Sequence, residues 1–188
     1  MIKKIINAII PALIASIWII IHIYKSHGLS TIMTFGFSMI LSYIFYMLTN
    51  YKKMPDPERV LSLYLFALGI QFLHFIEEFI TGFYTRFPTE IFHSIPFTAN
   101  EFVVSQMILF FLLILGAIAI FKGWKIPMIF AWFLVIMLQF INAIQHPIYA
   151  FIVKGYFPGL YTSLPGWILG PVLFKRLWEV RYYYNKKK

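Results

Sequence analysis

The stretch that decides the fold covers residues 60–83 and reads VLSLYLFALGIQFLHFIEEFITGF. It is apolar over about 20 residues, the length that an α-helix needs to cross a bilayer. The same stretch carries His74, Glu77 and Glu78. A carboxylate at the centre of a membrane costs about 2.5–3.5 kcal/mol even on the scale that rates it lowest. These three residues are therefore the first candidates for function.

The composition of the whole chain agrees with a membrane helix at this position. Of the 188 residues, 61% are hydrophobic and 12% are charged, and the mean hydropathy is +0.78. Soluble domains have about 45–50% apolar and about 25% charged residues, and disordered chains are less apolar still. The sequence therefore predicts an all-α integral membrane protein whose immediate partner is the lipid bilayer.

Apolar segments long enough for membrane spans recur along the chain, with short loops between them. We predict a bundle of about six transmembrane helices that forms one domain over residues 1–188. Pro165 and Gly166 predict a kink or break in the last span. The first span lacks a convincing cleavage site, so we expect it to be retained. The predicted spans are 5–24, 31–48, 60–83, 101–121, 127–153 and 160–177.

The basic residues predict the orientation of these spans. All but three of the 16 Lys and Arg residues fall on one side of the predicted membrane, and the exceptions are Lys25, Arg86 and Lys154. Short cytoplasmic loops are enriched in basic residues, so we expect a multi-pass protein of the cell membrane with both termini in the cytoplasm. The net charge of +9 then reflects topology and lipid contact by residues 186–188, and we expect no nucleic-acid partner.

A second polar stripe lies in the predicted fifth span. At about 100° per residue, Glu77 and Glu78 flank His74 on one helix face, and Asn142 and His146 share a face of the fifth span. Both stripes lie about 9–10 Å beyond the middle of their spans, toward the outside. We therefore expect them to meet.

Two further elements approach this level from the outer side. Glu101 opens the fourth span, and the segment Tyr156-Phe157-Pro158-Gly159 leads into the sixth. The free amides at a helix start could hold an anionic group there. Because the chain has no cysteine, a metal would need histidine, carboxylate or amide ligands.

The HxxEE motif His74-Phe75-Ile76-Glu77-Glu78, the later His146 and the YxPG sequence at 156–159 resemble the HXXEE domain family of small membrane proteins. The resemblance covers the third to sixth spans, residues 60–177. It implies that these residues form one site, and it implies no particular reaction, because the family has no established activity.

Our leading hypothesis is a metal-dependent enzyme that acts on a lipid-like or amphipathic substrate. His74, Glu78 and His146 would bind zinc, manganese or iron. Glu77 would serve as base or further ligand, and Tyr156 would orient the substrate. Glu101 or Asn142 would be an additional metal ligand or support one.

Two alternatives remain open at this stage. The glutamate pair could relay ions or protons in a transporter, or the polar cluster could be structural in a non-catalytic membrane protein. The sequence predicts neither the substrate nor the oligomeric state.

Overall fold

The computed structural model describes residues 2–25 and 32–179, and within these ranges the chain is helical without strands. A π-helical turn, Ile32–Gly36, precedes the second helix, and another, Phe87–Ile91, follows the fourth. The helices are α1 (Ile2–Lys25), α2 (Phe37–Leu48), α3 (Pro57–Ile80), α4 (Phe83–Arg86), α5 (Ala99–Lys122), α6 (Met128–Ile152), α7 (Leu160–Ser163) and α8 (Gly166–Trp178).

Four of the described helices are long and apolar enough to cross a membrane: α1, α3, α5 and α6. Large apolar side chains cover their outer faces, as at Ile20, Phe66 and Phe111, which are each about 60% exposed. An apolar exterior suits lipid and would be costly in water. The helices thus indicate a membrane protein.

The predicted second and sixth spans correspond to shorter helices. At 1.5 Å per residue, the 12 residues of α2 and the 13 of α8 extend only about 18–20 Å, less than the ~30 Å hydrocarbon core. The predicted break before Gly166 is present, since α7 ends at Ser163 and α8 begins at Gly166. Thr31 and the tail 186–188 lie outside the described residues. Six spans with cytoplasmic termini stay a prediction.

Local sequence signals explain where α3, the helix that carries the HxxEE motif, begins and ends. Asp56 caps α3 by accepting a hydrogen bond from the Glu58 amide at 3.1 Å, and Pro57 is the first residue of the helix. Gly82, with φ of +80°, follows α3 and allows the chain to turn. This left-handed turn leads the chain into α4 next to the C-terminal end of α3.

Helix α6 lies at the centre of the bundle. In its most apolar stretch 78% of the residues are buried, against 11% in α1. Its middle, Leu134–Ile141, is π-helical, a feature that is frequent at functional sites. Elsewhere in the core, the Trp132 indole donates to Asn50 Oδ1 at 2.7 Å, and the Tyr64 hydroxyl donates to the Leu113 carbonyl at 2.8 Å. These bonds satisfy buried polar groups that lipid could not.

The segment between α3 and α5 folds partly over the bundle. Phe83 of α4 lies 5.7 Å from the His146 ring, and Phe87 lies 5.6 Å from the Tyr149 ring, measured between centroids. Phe87 is 3% exposed. These aromatic side chains pack over the C-terminal half of α6, where His146 and Tyr149 lie.

Candidate metal centre

The two polar stripes meet inside the bundle, as their depth predicted. Helix α3 contributes His74 and Glu78, one turn apart, and α6 contributes His146. Glu78 Oε1 lies 3.4 Å from His74 Nε2 and 3.6 Å from His146 Nε2. The three side chains are 1–5% exposed, and one ligand atom from each lies within 4.8 Å of the other two. This group could hold a metal ion.

The ring of His146 is fixed by a backbone carbonyl. Its Nδ1 lies 2.7 Å from the carbonyl oxygen of Pro158. A carbonyl oxygen can only accept, so His146 Nδ1 must carry the proton and donate it. In the neutral imidazole the lone pair is then on Nε2, the atom that faces Glu78.

The ring of His74 is fixed by a side chain, and it takes the same tautomer as His146. Its Nδ1 lies 3.0 Å from the hydroxyl oxygen of Thr162. That hydroxyl donates its proton to Glu77 Oε2, so its oxygen accepts from His74 Nδ1. His74 therefore also directs the Nε2 lone pair of its neutral form toward Glu78. Hydrogen bonds of this kind orient histidine ligands in known metal sites.

Glu77 lies beside this group and faces away from it, toward the turn that enters α7. Its carboxylate accepts from the Tyr156 hydroxyl at 2.7 Å and from the amides of Tyr161 and Thr162 at 3.2 and 2.8 Å, besides the Thr162 hydroxyl. The anionic group that we predicted at this helix start is thus the chain's own Glu77. The structure does not bring Glu77 into the three-residue group.

Tyr156, which we predicted to orient a substrate, is a donor to Glu77. Burial raises the pKa of Tyr156 above its ordinary value, because an ionised phenolate loses water contacts there. The phenol thus keeps the proton that it donates to Glu77 over a wider pH range.

Glu101 lies at the start of α5 rather than with the histidines. Its carboxylate accepts from the backbone amide and the hydroxyl of Thr98, both at 2.8 Å, and its own amide donates to the Thr98 hydroxyl at 3.1 Å. This is a capping box, which satisfies amides at a helix start. The structure does not bring Glu101 together with His74, Glu78 and His146.

Asn142 is the fourth polar side chain at the centre. Its Nδ2 lies 3.2 Å from His74 Nε2, and the residue is 6% exposed. An amide nitrogen donates to the imidazole lone pair in this orientation. Turning the amide about its last bond would present Oδ1 at the same place, where it would be a further oxygen ligand.

Gly159 allows the turn before α7 to approach both histidines. A Cβ atom at this position would lie 2.5 Å from His146 Cε1 and 2.7 Å from His74 Cε1. The residue also has φ of +83°, which favours glycine. The final glycine of the YxPG sequence therefore has a direct steric role in the centre.

The chemistry of the centre follows from its lone pairs. Glu78 Oε1 and the two Nε2 atoms are all acceptors in their unprotonated forms, and they converge on one point away from water. Such a group requires a cation, either a proton or a metal ion. Two ligands at 2.0–2.1 Å from a tetrahedral metal are about 3.3 Å apart, close to the observed 3.4 and 3.6 Å. The usual N–H···O hydrogen bond is shorter, about 2.7–3.2 Å.

Sequence reasoning missed Thr162 and the carbonyl of Pro158. Thr162 follows the YxPG sequence by three residues, and a hydroxyl residue just inside a helix start was the available signal. No side-chain pattern marks a backbone carbonyl, so the contact with Pro158 required the folded turn.

Comparison with known proteins identifies a family for this chain. The family model described as "Protein of unknown function with HXXEE motif" matches residues 64–173, more than half of the chain. No curated protein and no solved structure matches the chain. The matched region contains His74, Glu77, Glu78, His146 and the turn before α7. We conclude that the chain belongs to this HXXEE family.

Proposed function

We propose that the protein is a membrane metalloenzyme in which His74, Glu78 and His146 hold one divalent metal ion. The observation that carries the proposal is the convergence of three buried acceptors whose two histidines are fixed in the ligand tautomer. Two imidazoles and a carboxylate suit zinc, manganese or iron. Such an ion would polarise a carbonyl group or activate water.

The substrate that fits this location is a lipid-like or amphipathic molecule. The centre lies between apolar helices, so a substrate must reach it from the bilayer or from the outer surface. The phenyl rings of Phe83 and Phe157 lie 5.7 and 6.3 Å from the His146 ring. An apolar surround of this kind excludes water and favours a substrate with a hydrocarbon part.

In this proposal Glu77 and Tyr156 are positioning residues. Glu77 accepts from Tyr156 and Thr162, and Thr162 in turn accepts from His74. This chain of hydrogen bonds fixes the tautomer and the ring orientation of His74 as a ligand. Glu77 thus acts on the metal through Thr162 and His74.

A cobalt spectrum tests the metal site directly. Purified protein loaded with one equivalent of Co²⁺ should show the visible bands of a four- or five-coordinate site. We expect the bands to disappear in His146→Ala and to persist in His93→Ala, which alters an exposed histidine. Bands of equal strength in His146→Ala would contradict the proposed ligand set.

A turnover assay tests the proposed enzymatic activity. We expect metal-loaded protein, incubated with extracted membrane lipids, to produce a mass change in one lipid class, measured by liquid chromatography and mass spectrometry. Glu78→Gln should abolish the change, because the amide lacks the ligand charge. Proton or ion flux in proteoliposomes, lost in Glu78→Gln without any lipid change, would favour the transporter instead.

A further inference from the structure

A lysine-rich surface lies at the end of the bundle that is remote from the metal centre. Helices α3 and α6 begin at this end, at Pro57 and Met128, whereas His74 and His146 lie about 17–18 residues further along the two helices. At 1.5 Å per residue the separation is about 26 Å. The lysines of this surface are Lys3, Lys4, Lys52, Lys53, Lys122 and Lys125.

Three separate parts of the chain meet in the lysine-rich surface, and Lys125 connects them. Its Nζ donates to the carbonyl oxygens of Tyr51 at 2.6 Å and of Lys52 at 3.3 Å, which joins the turn before α6 to the turn after α2. Burial lowers the pKa of Lys125, and the charges of Lys4 and Lys3 lower it further, because nearby positive charges disfavour another cation. The start of α1 therefore lies beside both turns.

The positive charges of this surface lack carboxylate partners. Within residues 2–25 and 32–179, none of the six lysines forms an ion pair with Asp or Glu. The neighbouring turn carries Asp56 and Glu58, and Asp56 caps α3 and pairs with Arg59 at 3.8 Å. Like charges that are held together repel one another, and an anion that binds the folded protein would stabilise it.

The lysine-rich surface borders the side of the bundle that faces lipid. The Phe121 side chain is 58% exposed, and Lys122 Nζ lies 4.8 Å from the centroid of its ring. Trp124, between Lys122 and Lys125 in the sequence, is 53% exposed. Tryptophan is enriched at the level of the lipid head groups. An anion that carries acyl chains could therefore reach the lysines while its chains lie along the apolar face of α5.

From these observations we propose that the lysine-rich surface binds the phosphate of one anionic phospholipid. The phosphodiester accepts hydrogen bonds from the ammonium groups, and its charge offsets their mutual repulsion. A soluble anion would supply the same charge but lacks the chains that lie against Phe121. Binding at this surface does not depend on the metal centre, which lies about 26 Å away along α3 and α6.

Native mass spectrometry of the detergent-solubilised protein tests the proposal, because it counts the lipids that stay bound. The probes are dioleoylphosphatidylglycerol, whose head group is anionic, and dioleoylphosphatidylcholine, which has the same chains and no net charge. We expect one phosphatidylglycerol per protein at concentrations at which phosphatidylcholine does not bind. Equal retention of the two lipids would overturn the proposal.

The triple variant Lys3→Gln, Lys4→Gln, Lys52→Gln removes three exposed charges from two of the three parts of the surface. Each lysine near a membrane surface contributes about fivefold to the binding of anionic lipid. We therefore expect phosphatidylglycerol to bind about 100-fold more weakly to this variant. Circular dichroism checks that the variant keeps its helical fold.

The charge-matched control is Lys154→Gln, Lys175→Gln, Arg176→Gln, which also changes exposed residues but leaves the lysine-rich surface intact. We expect this control to bind phosphatidylglycerol within about threefold of the wild type. Equal losses in both triple variants would mean that the net charge attracts the lipid without a defined site, and would overturn the proposal.

Fluorescence quenching locates the bound lipid. Phosphatidylglycerol brominated near its head group should quench Trp124, measured as the difference between the wild type and Trp124→Phe. We expect this quenching to be lost in the triple variant at Lys3, Lys4 and Lys52, and to persist in a large excess of glycerol phosphate. Displacement by glycerol phosphate would mean a site for a soluble anion, and unchanged quenching in the triple variant would mean that the lysines do not hold the lipid. Either result would overturn the proposal.

Discussion

At the scale of single residues, Thr162 connects two residues of the motif, His74 and Glu77. Its oxygen accepts from His74 Nδ1, and its proton goes to Glu77. The HxxEE spacing is thereby explained: Glu78 shares a face with His74 as a ligand candidate, and Glu77 supports His74 from the other side. The adjacent carboxylates thus make different contacts because they point in different directions.

We expect Thr162→Val to weaken metal binding about 10- to 100-fold, as is typical when a hydrogen bond to a ligand histidine is removed. Valine keeps the shape of the side chain and lacks the hydroxyl. Competition with a chromophoric chelator measures the affinity. Thr162→Ser, which restores the hydroxyl, should bind within a few-fold of the wild type. Equal losses in both variants would argue against the relay.

Gly159→Ala should disrupt the centre, because the new methyl group would collide with both imidazoles. The left-handed backbone adds about 1–2 kcal/mol of strain. We expect a lower melting temperature and loss of bound metal. Gly155→Ala is the control, since a Cβ there meets only the Val153 carbonyl, at 3.9 Å. A Gly159→Ala protein with normal metal content would contradict the observed packing.

At the scale of helices, the sequence predicted which helices meet. It did not predict the contacts that the turns make, which are visible only in the folded structure. Helical periodicity and depth brought His74 and Glu78 to His146, because both stripes lie on regular helices. Periodicity could not place Glu77, since a neighbour in the turn before α7 decides its direction. Periodicity also could not decide whether the Glu101 side chain points into the bundle or caps the start of α5.

Glu101→Gln separates these two roles. Glutamine also forms a capping box, so we expect the variant to keep its melting temperature within a few degrees and its full metal content. Thr98→Ala should lower the stability by about 1 kcal/mol, again without loss of metal. The measurements are thermal unfolding and elemental analysis. Metal loss in Glu101→Gln would restore Glu101 as a ligand.

At the scale of the whole molecule, composition predicted the membrane class and the helical fold, and exposed isoleucine and phenylalanine side chains agree with it. The break before Gly166 was predicted from Pro165 and Gly166 and is present, whereas composition could not predict how short α8 is. The orientation in the membrane rests on the basic residues alone.

The absence of cysteine makes this orientation simple to test. Asn100→Cys and Lys53→Cys place single thiols at exposed positions on opposite sides of the predicted bilayer. In intact cells we expect a membrane-impermeant maleimide to label position 100 and not position 53. Permeabilised cells should label at both positions. The reverse pattern in intact cells would place the termini outside.

The most direct test of the central claim is the metal content of purified protein, measured by mass spectrometry after saturation with Zn²⁺ and removal of free ion. We predict about one equivalent in the wild type and in His93→Ala, and almost none in His146→Ala or Glu78→Gln, because α3 and α6 must contribute to one site. Equal metal in all four proteins, or none in the wild type, would contradict a metal centre at His74, Glu78 and His146.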